Sequence, residues 1–504
     1  MARERFEPED SYLAAPVSDV SSRSVLWIEP RATLTATARR MWEADAGSIL
    51  VRADEDNALG TGIVTDRDLR RVLAQGLDPE TPVGELASRP LLTLRCNASV
   101  AAAHLAMLEA GVRHLALTDD GSGEAEPIVG IVTSTDLHRH QSRGPFFVLH
   151  RLERDAEAAV VGDYVKHRED AVRSLRSGGV AADRIGRIVS HLDDHLVRRC
   201  LRAEVEILES ESGPLPADWA WVAFGSDGRR EQPVLLDQHN ALIFDVRGLG
   251  ADEAVVASEI FHRLATRVSE RLLAAGWPEP DSGFVARRWC THLDEWQRRF
   301  RHWLEEPDPE SLEHAQVFFD LRRVAGPLEV GLASMVHSVE SASDFLRLMA
   351  VLATRRRPAV GRWRGLTRDG NGAIDLQSGG LRPLVALARV AGICVGLTEP
   401  ARWPISTLER LRAAERRGLL SQADVGRLQE IYSTLSDRCL DLLLASTGGA
   451  PAGRPVASMR PSDLTRTQRS RLASDLRFVR RQQRALETSI RRWKRAVVQP
   501  RGAT

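Results

Sequence analysis

Lysine is almost missing from this chain: among 504 residues only Lys166 and Lys494 occur, and arginine supplies the rest of the positive charge. That scarcity excludes mechanisms built on a P-loop lysine or a lysine Schiff base. Cysteine is sparse too. Cys96, Cys200, Cys290, Cys394 and Cys439 are far apart and form no CxxC, so they read as reduced thiols of a cytoplasmic protein. Charge of one sign is not in excess, since 69 basic residues face 69 acidic ones, which gives no global electrostatic case for nucleic acid or an anionic membrane. No stretch approaches 18 uncharged apolar residues, and the opening MARERFEPEDSYLAAP is polar. Neither a membrane span nor a secretory leader is expected.

The length predicts three or four domains, and 43% hydrophobic with 27% charged residues is ordinary for globular chains. An internal repeat organises the first 140 residues. GIVTDRDL (62–69) returns as GIVTSTDL (130–137), and ARRMWEADAGSILV (38–51) aligns with AHLAMLEAGVRHLAL (103–117). Each copy predicts an amphipathic helix, a short strand, a polar turn (RADEDNALG; TDDGSGEAEP) and a second strand entering a helix.

The doubled G-h-x-[S/T]-x-x-D resembles the CBS domain, here a pair over about 16–142, divided near 78. The resemblance implies an adenine nucleotide (AMP, ADP or ATP) as effector, with Asp68 and Asp136 on ribose hydroxyls and Thr65 and Thr133 toward phosphate. It also implies a homodimer through the pair. The residues allow a second reading, in which Thr65 and Thr133 are helix N-caps.

Residues 146–212 carry apolar positions at helical spacing, including Leu192, Leu196, Leu201 and Val205, and predict a helical connector. His191 and His195, with Asp193 and Asp194 between them, read as a solvated face. SGPLP (212–216) reads as the turn into the next domain.

The chemistry concentrates in WAWVAFGSDGRREQPVLLDQHNALIFD (219–245). A strand, Trp219–Phe224, runs into Gly225–Ser226, and a second strand is predicted from Leu235 through Asp237, His239 and Ala241–Phe244. Positions two apart on a strand share a face, so 237 and 239 aim at one site. Gly225 lets backbone approach a ligand closely, Ser226 with neighbouring N–H groups can hold anionic oxygens, and Arg229 can pair with an anion.

This segment resembles the polymerase-β-like nucleotidyltransferases found beside CBS pairs, relatives of the protein-PII uridylyltransferases. Gly225, Ser226, Gly228, Arg229, Glu231, Gln232, Asp237, Gln238, Asn240, Ala241, Leu242 and Ile243 match in order. The resemblance implies a nucleoside triphosphate site using Mg²⁺ or Mn²⁺, transferring a nucleotide to a protein or small-molecule acceptor. His239 stands where the family has its second Asp, and Leu236 where it has Thr. Mg²⁺ prefers hard oxygen ligands, so the metal pair Asp237 and His239 is altered. Asp320, in VFFDLRRVAGPLE (317–329), matches the family's F-F-D-x-R; it reads either as a third catalytic carboxylate or as an ion-pair partner of Arg322. The segment 276–304 keeps Gly276, Pro278, Gly283, Ala286, Trp289 and Cys290 in a shortened form, and Trp289, Trp296 and Trp303 read as packing.

Residues 213–340 are thus expected as the nucleotidyltransferase domain and 341–496 as a C-terminal helical domain. STGGAPAGRPVAS (446–458) is expected as a flexible loop, and Arg477, Arg480, Arg481 and Arg484 as a surface face. The fold class is α/β plus α: a CBS pair, a polymerase-β-like domain and a helical bundle. Two functions stay open: a CBS-regulated bacterial signalling protein that transfers a nucleotide, and an inactive nucleotide-binding module acting through protein partners.

Overall fold

A computed structural model describes residues 15–21, 25–53, 60–119, 128–138, 164–234, 237–336, 342–361, 365–370, 372–447 and 457–498. The polar turns at 54–59 and 120–127, the loop at 448–456, Leu235 and Leu236, and both termini lie outside the described residues. The chain divides into two compact units: the described residues of Met1–Phe147 with Ser174–Val180, and those of Val148–Arg173 with Ala181–Thr504.

In the first unit the repeat becomes two matching sheets. Strand β1 (Trp27–Ile28) pairs parallel with β2 (Ser48–Val51), which pairs antiparallel with β3 (Gly62–Thr65). The same order returns in β4 (Thr93–Arg95), β5 (His114–Thr118) and β6 (Gly130–Thr133). Each copy borrows its first segment from the other. Val17 donates its backbone N–H to Ala98, in the second copy, whereas Val83 donates to Ala32, in the first. Buried Val17 and Val83 thus occupy equivalent places in PVSDV and PVGEL, a reciprocity that ties the pair together.

In the second unit a four-stranded sheet is built from Trp219–Ala223, Asn240–Phe244, Cys290–His292 and Arg322–Ala325, beside a small two-stranded pair of Ile374–Asp375 and Ser458–Met459. Strand β7 (Trp219–Ala223) pairs antiparallel with β8 (Asn240–Phe244) and with β10 (Arg322–Ala325), while β9 (Cys290–His292) joins β8 in parallel. β7 and β8 are buried on both faces, so they read as continuous apolar runs rather than alternating ones. One face packs on the helices Ala182–Ser212 and Ala251–Ala274, and the other on the aromatic cluster and the C-terminal helices. Trp296 and Trp303 sit in that cluster, Trp303 stacked on Phe318 at 5.4 Å, with Trp289 against its edge.

Two expectations change here. The helix Ala182–Ser212, read as a connector, lies inside the core of the second unit, where Leu192, Leu196, Cys200 and Leu201 pack beneath the sheet. Asp193 and Asp194, read as solvated, are 3% and 2% exposed. Asp193 receives both arms of Arg168 (2.9 and 3.1 Å) and the Tyr164 hydroxyl (2.5 Å), whereas Asp194 receives both arms of Arg322 (2.7 and 3.0 Å). Bidentate geometry offsets the desolvation that burial imposes on these charges.

The helix formed by Gln377–Leu381 and Arg382–Thr398 is long and apolar enough to cross a membrane, but 83% of its apolar window is buried as the central helix of the C-terminal region. All five cysteines are free thiols; burial pushes Cys394 and Cys439 up to about 12, leaving them protonated.

Candidate functional site

A cavity of about 450 Å³ opens within the second unit between the turn after β7 and the C-terminal helices. The turn is the short helix Gly225–Gly228 with the residues up to Gln232. Gly225 has a φ of +60°, a conformation that side chains with a Cβ resist, and a Cβ there would meet nothing within 4 Å. Gly225 and Ser226 line the cavity, and the Ser226 hydroxyl donates to Gln232 Oε1 at 2.9 Å.

The turn is gripped from beneath. Arg168, anchored on Asp193, donates to the carbonyls of Gln232 (2.8 Å) and Pro233 (3.0 Å). Arg322, anchored on Asp194, donates to the carbonyls of Gly228 and Asp227, each at 3.2 Å. Two buried Asp–Arg pairs therefore set the path of the 225–233 backbone. Asp227 shares this crowded ground: burial, the main cause, raises its carboxyl to about 7, with Arg322 and Arg168 opposing the rise and Asp194 and Asp193 adding to it.

Strand β8 is Asn240–Phe244, and Asp237 to His239, predicted within it, precede it. Asp237 to His239 run beside other partners: Gln238 N–H donates to Pro278, Phe224 N–H donates to His239, and Asn240 N–H donates to Phe284. Side-chain alternation survives without the ladder. Asp237 and His239 line the cavity, while Gln238 points away, fully buried, and donates to the Trp277 carbonyl at 2.8 Å.

Asp320 is elsewhere. It is fully buried, absent from the cavity wall, and enclosed by Arg229 Nη1 (2.5 Å), Arg389 Nη2 (2.7 Å) and Arg410 Nη1 (2.6 Å). Burial alone would raise its carboxyl, but Arg389, Arg229 and Arg410 hold it well below the usual carboxylate range. Three cations leave no lone pair directed at a metal, which corrects the expectation of a third catalytic carboxylate. Arg322 is not its partner either, being committed to Asp194.

Other motif residues are built into the scaffold, although Arg229, Glu231 and Gln232 also line the cavity. Arg229 is tied to Asp320 and to Glu231 (2.7 Å), so its guanidinium is already engaged by two carboxylates. Glu231 also accepts from Thr407 N–H (2.6 Å) and hydroxyl (2.9 Å), capping the helix Thr407–Arg416. Gly228 is a packing glycine, since a Cβ would lie 2.0 Å from the Asp320 carbonyl oxygen. Asn240 does not line the cavity; its Oδ1 accepts from Ala286 N–H at 2.7 Å and fixes the 276–290 loop, whose Pro280, Asp281 and Ser282 do line it.

The residues present do not make the metal site that the resemblance implies. Asp237 and His239 face the cavity together, but among the described residues no group of three His, Cys, Asp or Glu side chains gathers as a metal nest. Asp183 and Asp281 line the same cavity, but among the described residues they do not gather with Asp237 and His239 into a three-ligand group.

In the first unit, Thr65, Asp68, Thr133 and Asp136 line one cavity of about 1270 Å³, with Arg67, Arg70, Arg71 and Arg113 around them. Asp68 Oδ2 accepts from Thr65 N–H (3.0 Å) and hydroxyl (2.7 Å), and Asp136 Oδ2 accepts from Thr133 in the same way (2.9 and 2.6 Å). The motif thus caps each helix, and the twofold repeat brings both caps to a common basin.

Family models match the chain in four stretches: CBS domain at 17–75 and 83–143, "Putative nucleotidyltransferase DUF294" at 166–310, and "Putative nucleotidyltransferase substrate binding domain" at 343–490. Hypoxic response protein 1 of Mycobacterium tuberculosis is 36% identical over 124 residues, which are 24% of this chain and 82% of that protein. An uncharacterized protein of Methanopyrus kandleri is 31% identical over 123 residues, 24% of this chain, and the chain spans 60% of its length. Among solved structures, a CBS domain protein of Pyrobaculum aerophilum complexed with AMP is 25% identical, covering 24% of this chain and 90% of its own, with a TM-score of 0.21. The chain belongs to the family that joins a CBS-domain pair to a DUF294 nucleotidyltransferase-type domain and its C-terminal substrate-binding domain.

Proposed function

We propose that this protein is a nucleotide-responsive signalling module: the CBS pair takes an adenine nucleotide, and the cavity of the second unit binds a nucleoside triphosphate without transferring it. The output then passes to a protein partner in the cytoplasm. One observation carries the non-transferring reading. The carboxylate expected to complete the catalytic set, Asp320, is locked among Arg229, Arg389 and Arg410, leaving Asp237 beside an imidazole. Binding is supported by the retained cradle, Gly225 at positive φ and Ser226, opening on the cavity. Adenine-nucleotide sensing is supported by the two Thr–Asp caps meeting in one arginine-flanked basin.

The test offers labelled UTP, ATP, GTP and CTP with Mg²⁺ or Mn²⁺ to native protein, Asp237→Ala and His239→Asp, measuring both binding and transfer. UTP comes first because the signature resembles uridylyltransferases. Saturable binding without native turnover is expected, and turnover restored by His239→Asp would mark a decayed enzyme. Native turnover abolished by Asp237→Ala would sink the reading. For the CBS pair, AMP, ADP and ATP should raise the melting temperature, and Asp68→Ala or Asp136→Ala should reduce that shift. Because each Asp also caps a helix, the ligand-induced shift is compared, not the absolute temperature.

A further inference from the structure

The cavity of the second unit has a cationic wall contributed by the C-terminal region. Arg356 follows the helix Ser343–Arg355, Arg382 opens the helix Arg382–Thr398, and both line the cavity. Gln483, 3% exposed, sets their backbones side by side: its Nε2 lies 2.8 Å from the Ala353 carbonyl oxygen, 3.1 Å from that of Arg356 and 3.2 Å from that of Pro383. Arg389, seven residues along from Arg382, lines the same wall but is ion-paired to Asp320. Arg356 and Arg382 have no such counter-charge. Among the described residues, neither has a carboxylate within ion-pair distance, and Glu313 only partly opposes the charge around Arg356. Burial first, then the charges of Arg389 and Arg382, lower the Arg356 guanidinium below its ordinary value.

Two guanidinium groups held together on a concave wall repel one another, and an anion placed between them relieves that repulsion. Their planar forks suit phosphate oxygens in particular. The altered opposite wall adds to the argument. His239 in place of a carboxylate removes a negative charge from the cavity, and Arg229 is already committed, so the phosphate-binding duty falls to the bundle side.

We propose that Arg356 and Arg382 form a phosphate-binding subsite, and that the cavity's ligand carries a phosphate chain gripped by both. This deepens the nucleotide-binding reading and rests on it for the identity of the ligand. The chain belongs either to the triphosphate of the nucleotide or to a phosphorylated second molecule.

Isothermal titration of the full chain with UTP, UMP and inorganic tripolyphosphate tests this; UTP lowers interference from an adenine-selective CBS pair. The variants are Arg356→Gln/Arg382→Gln, Ser226→Ala, and a charge control, Arg355→Gln/Arg357→Gln, on exposed neighbours that do not line the cavity. Melting temperatures are expected to stay near native, because Arg356 and Arg382 have no ion-pair partner to lose. The wall variant should weaken UTP and tripolyphosphate by about tenfold or more, leave UMP nearly unchanged, and behave unlike the control. Weakened tripolyphosphate with unchanged UTP supports the subsite and assigns it to a phosphorylated second molecule. UTP binding that depends on Ser226 but not on the wall overturns the subsite and keeps the nucleotide reading. Tripolyphosphate binding that depends on the wall, with no UTP binding at all, keeps the subsite and overturns the nucleotide reading. Equal losses in the wall variant and the control, or native affinity for both ligands in the wall variant, overturn the proposal.

Discussion

Asp320 Oδ1 accepts a 2.6 Å hydrogen bond from Arg410 Nη1, and both side chains are fully buried. Arg410 also donates to the Phe319 carbonyl at 2.8 Å, so one guanidinium ties the sheet domain to the helix Thr407–Arg416. With Arg229 and Arg389 on the same carboxylate, Asp320 is the counter-charge for three buried cations. Replacing it by asparagine keeps the shape and strands the charges. Asp320→Asn is expected to lose about 3–5 kcal/mol of stability in urea unfolding. A loss below about 1 kcal/mol would show that the cluster does not hold the domains together.

Two glycines of one motif should fail differently. A Cβ on Gly228 would strike the Asp320 carbonyl oxygen at 2.0 Å, and that backbone is pinned by the arginine cluster, so Gly228→Ala should cost about 3 kcal/mol or more. Gly225→Ala meets open space and bears only the strain of φ +60°, roughly 1 kcal/mol. Denaturation midpoints measure the difference; equal losses would contradict the packing assigned to Gly228.

Asp227 predicts a pH dependence with a definite sign. Its folded carboxyl, at about 7, lies above the ordinary 3.8, so over that window the folded chain keeps a proton that the unfolded chain has released. Stability from this group therefore falls as pH rises from about 4 to about 7. Asparagine mimics the protonated form throughout. The stability advantage of Asp227→Asn over native should open above about pH 4 and level off beyond about pH 7, read by calorimetry across that range. Parallel pH curves for the two proteins would refute the assignment.

What the sequence disclosed and what it hid divide along physical lines. The 68-residue repeat and the alternation of Asp237 and His239 are local patterns, and both reappear in the structure. The buried charges are not local. Asp194 finds Arg322 at a separation of 128 residues, and Asp320 finds Arg410 at 90, so no window along the chain contains both partners. One signal was available: Val189, Leu192, Asp193, Leu196, Val197 and Cys200 follow a single helical stripe, which puts Asp193 on the buried face. Arg389 stands likewise inside the apolar run of Arg382–Thr398. A charge on an apolar stripe implies a buried partner. Arg356 had no such mark, because its place at the cavity comes from Gln483 and the packing of two helix ends.

Glu231 joins the 225–232 turn to the bundle through Thr407, whose side chain is fully buried. The carboxylate sits at the start of the helix Thr407–Arg416, where exposed N–H groups favour negative charge, and Ser406 caps the same end through Glu409 N–H. Thr407→Val removes the hydroxyl and keeps the shape, whereas Glu231→Gln removes the charge while leaving an acceptor. If the contact links the two elements energetically, the double variant should lose less stability than the two single losses combined, with a coupling of about 1 kcal/mol or more. A second readout distinguishes linkage from mere packing. Glu231→Gln should also weaken UTP binding, because the turn that carries Ser226 loses its anchor, while Thr407→Val should weaken it less. Additive stability losses with unchanged UTP affinity would mean that the turn holds its shape through Arg168 and Arg322 alone.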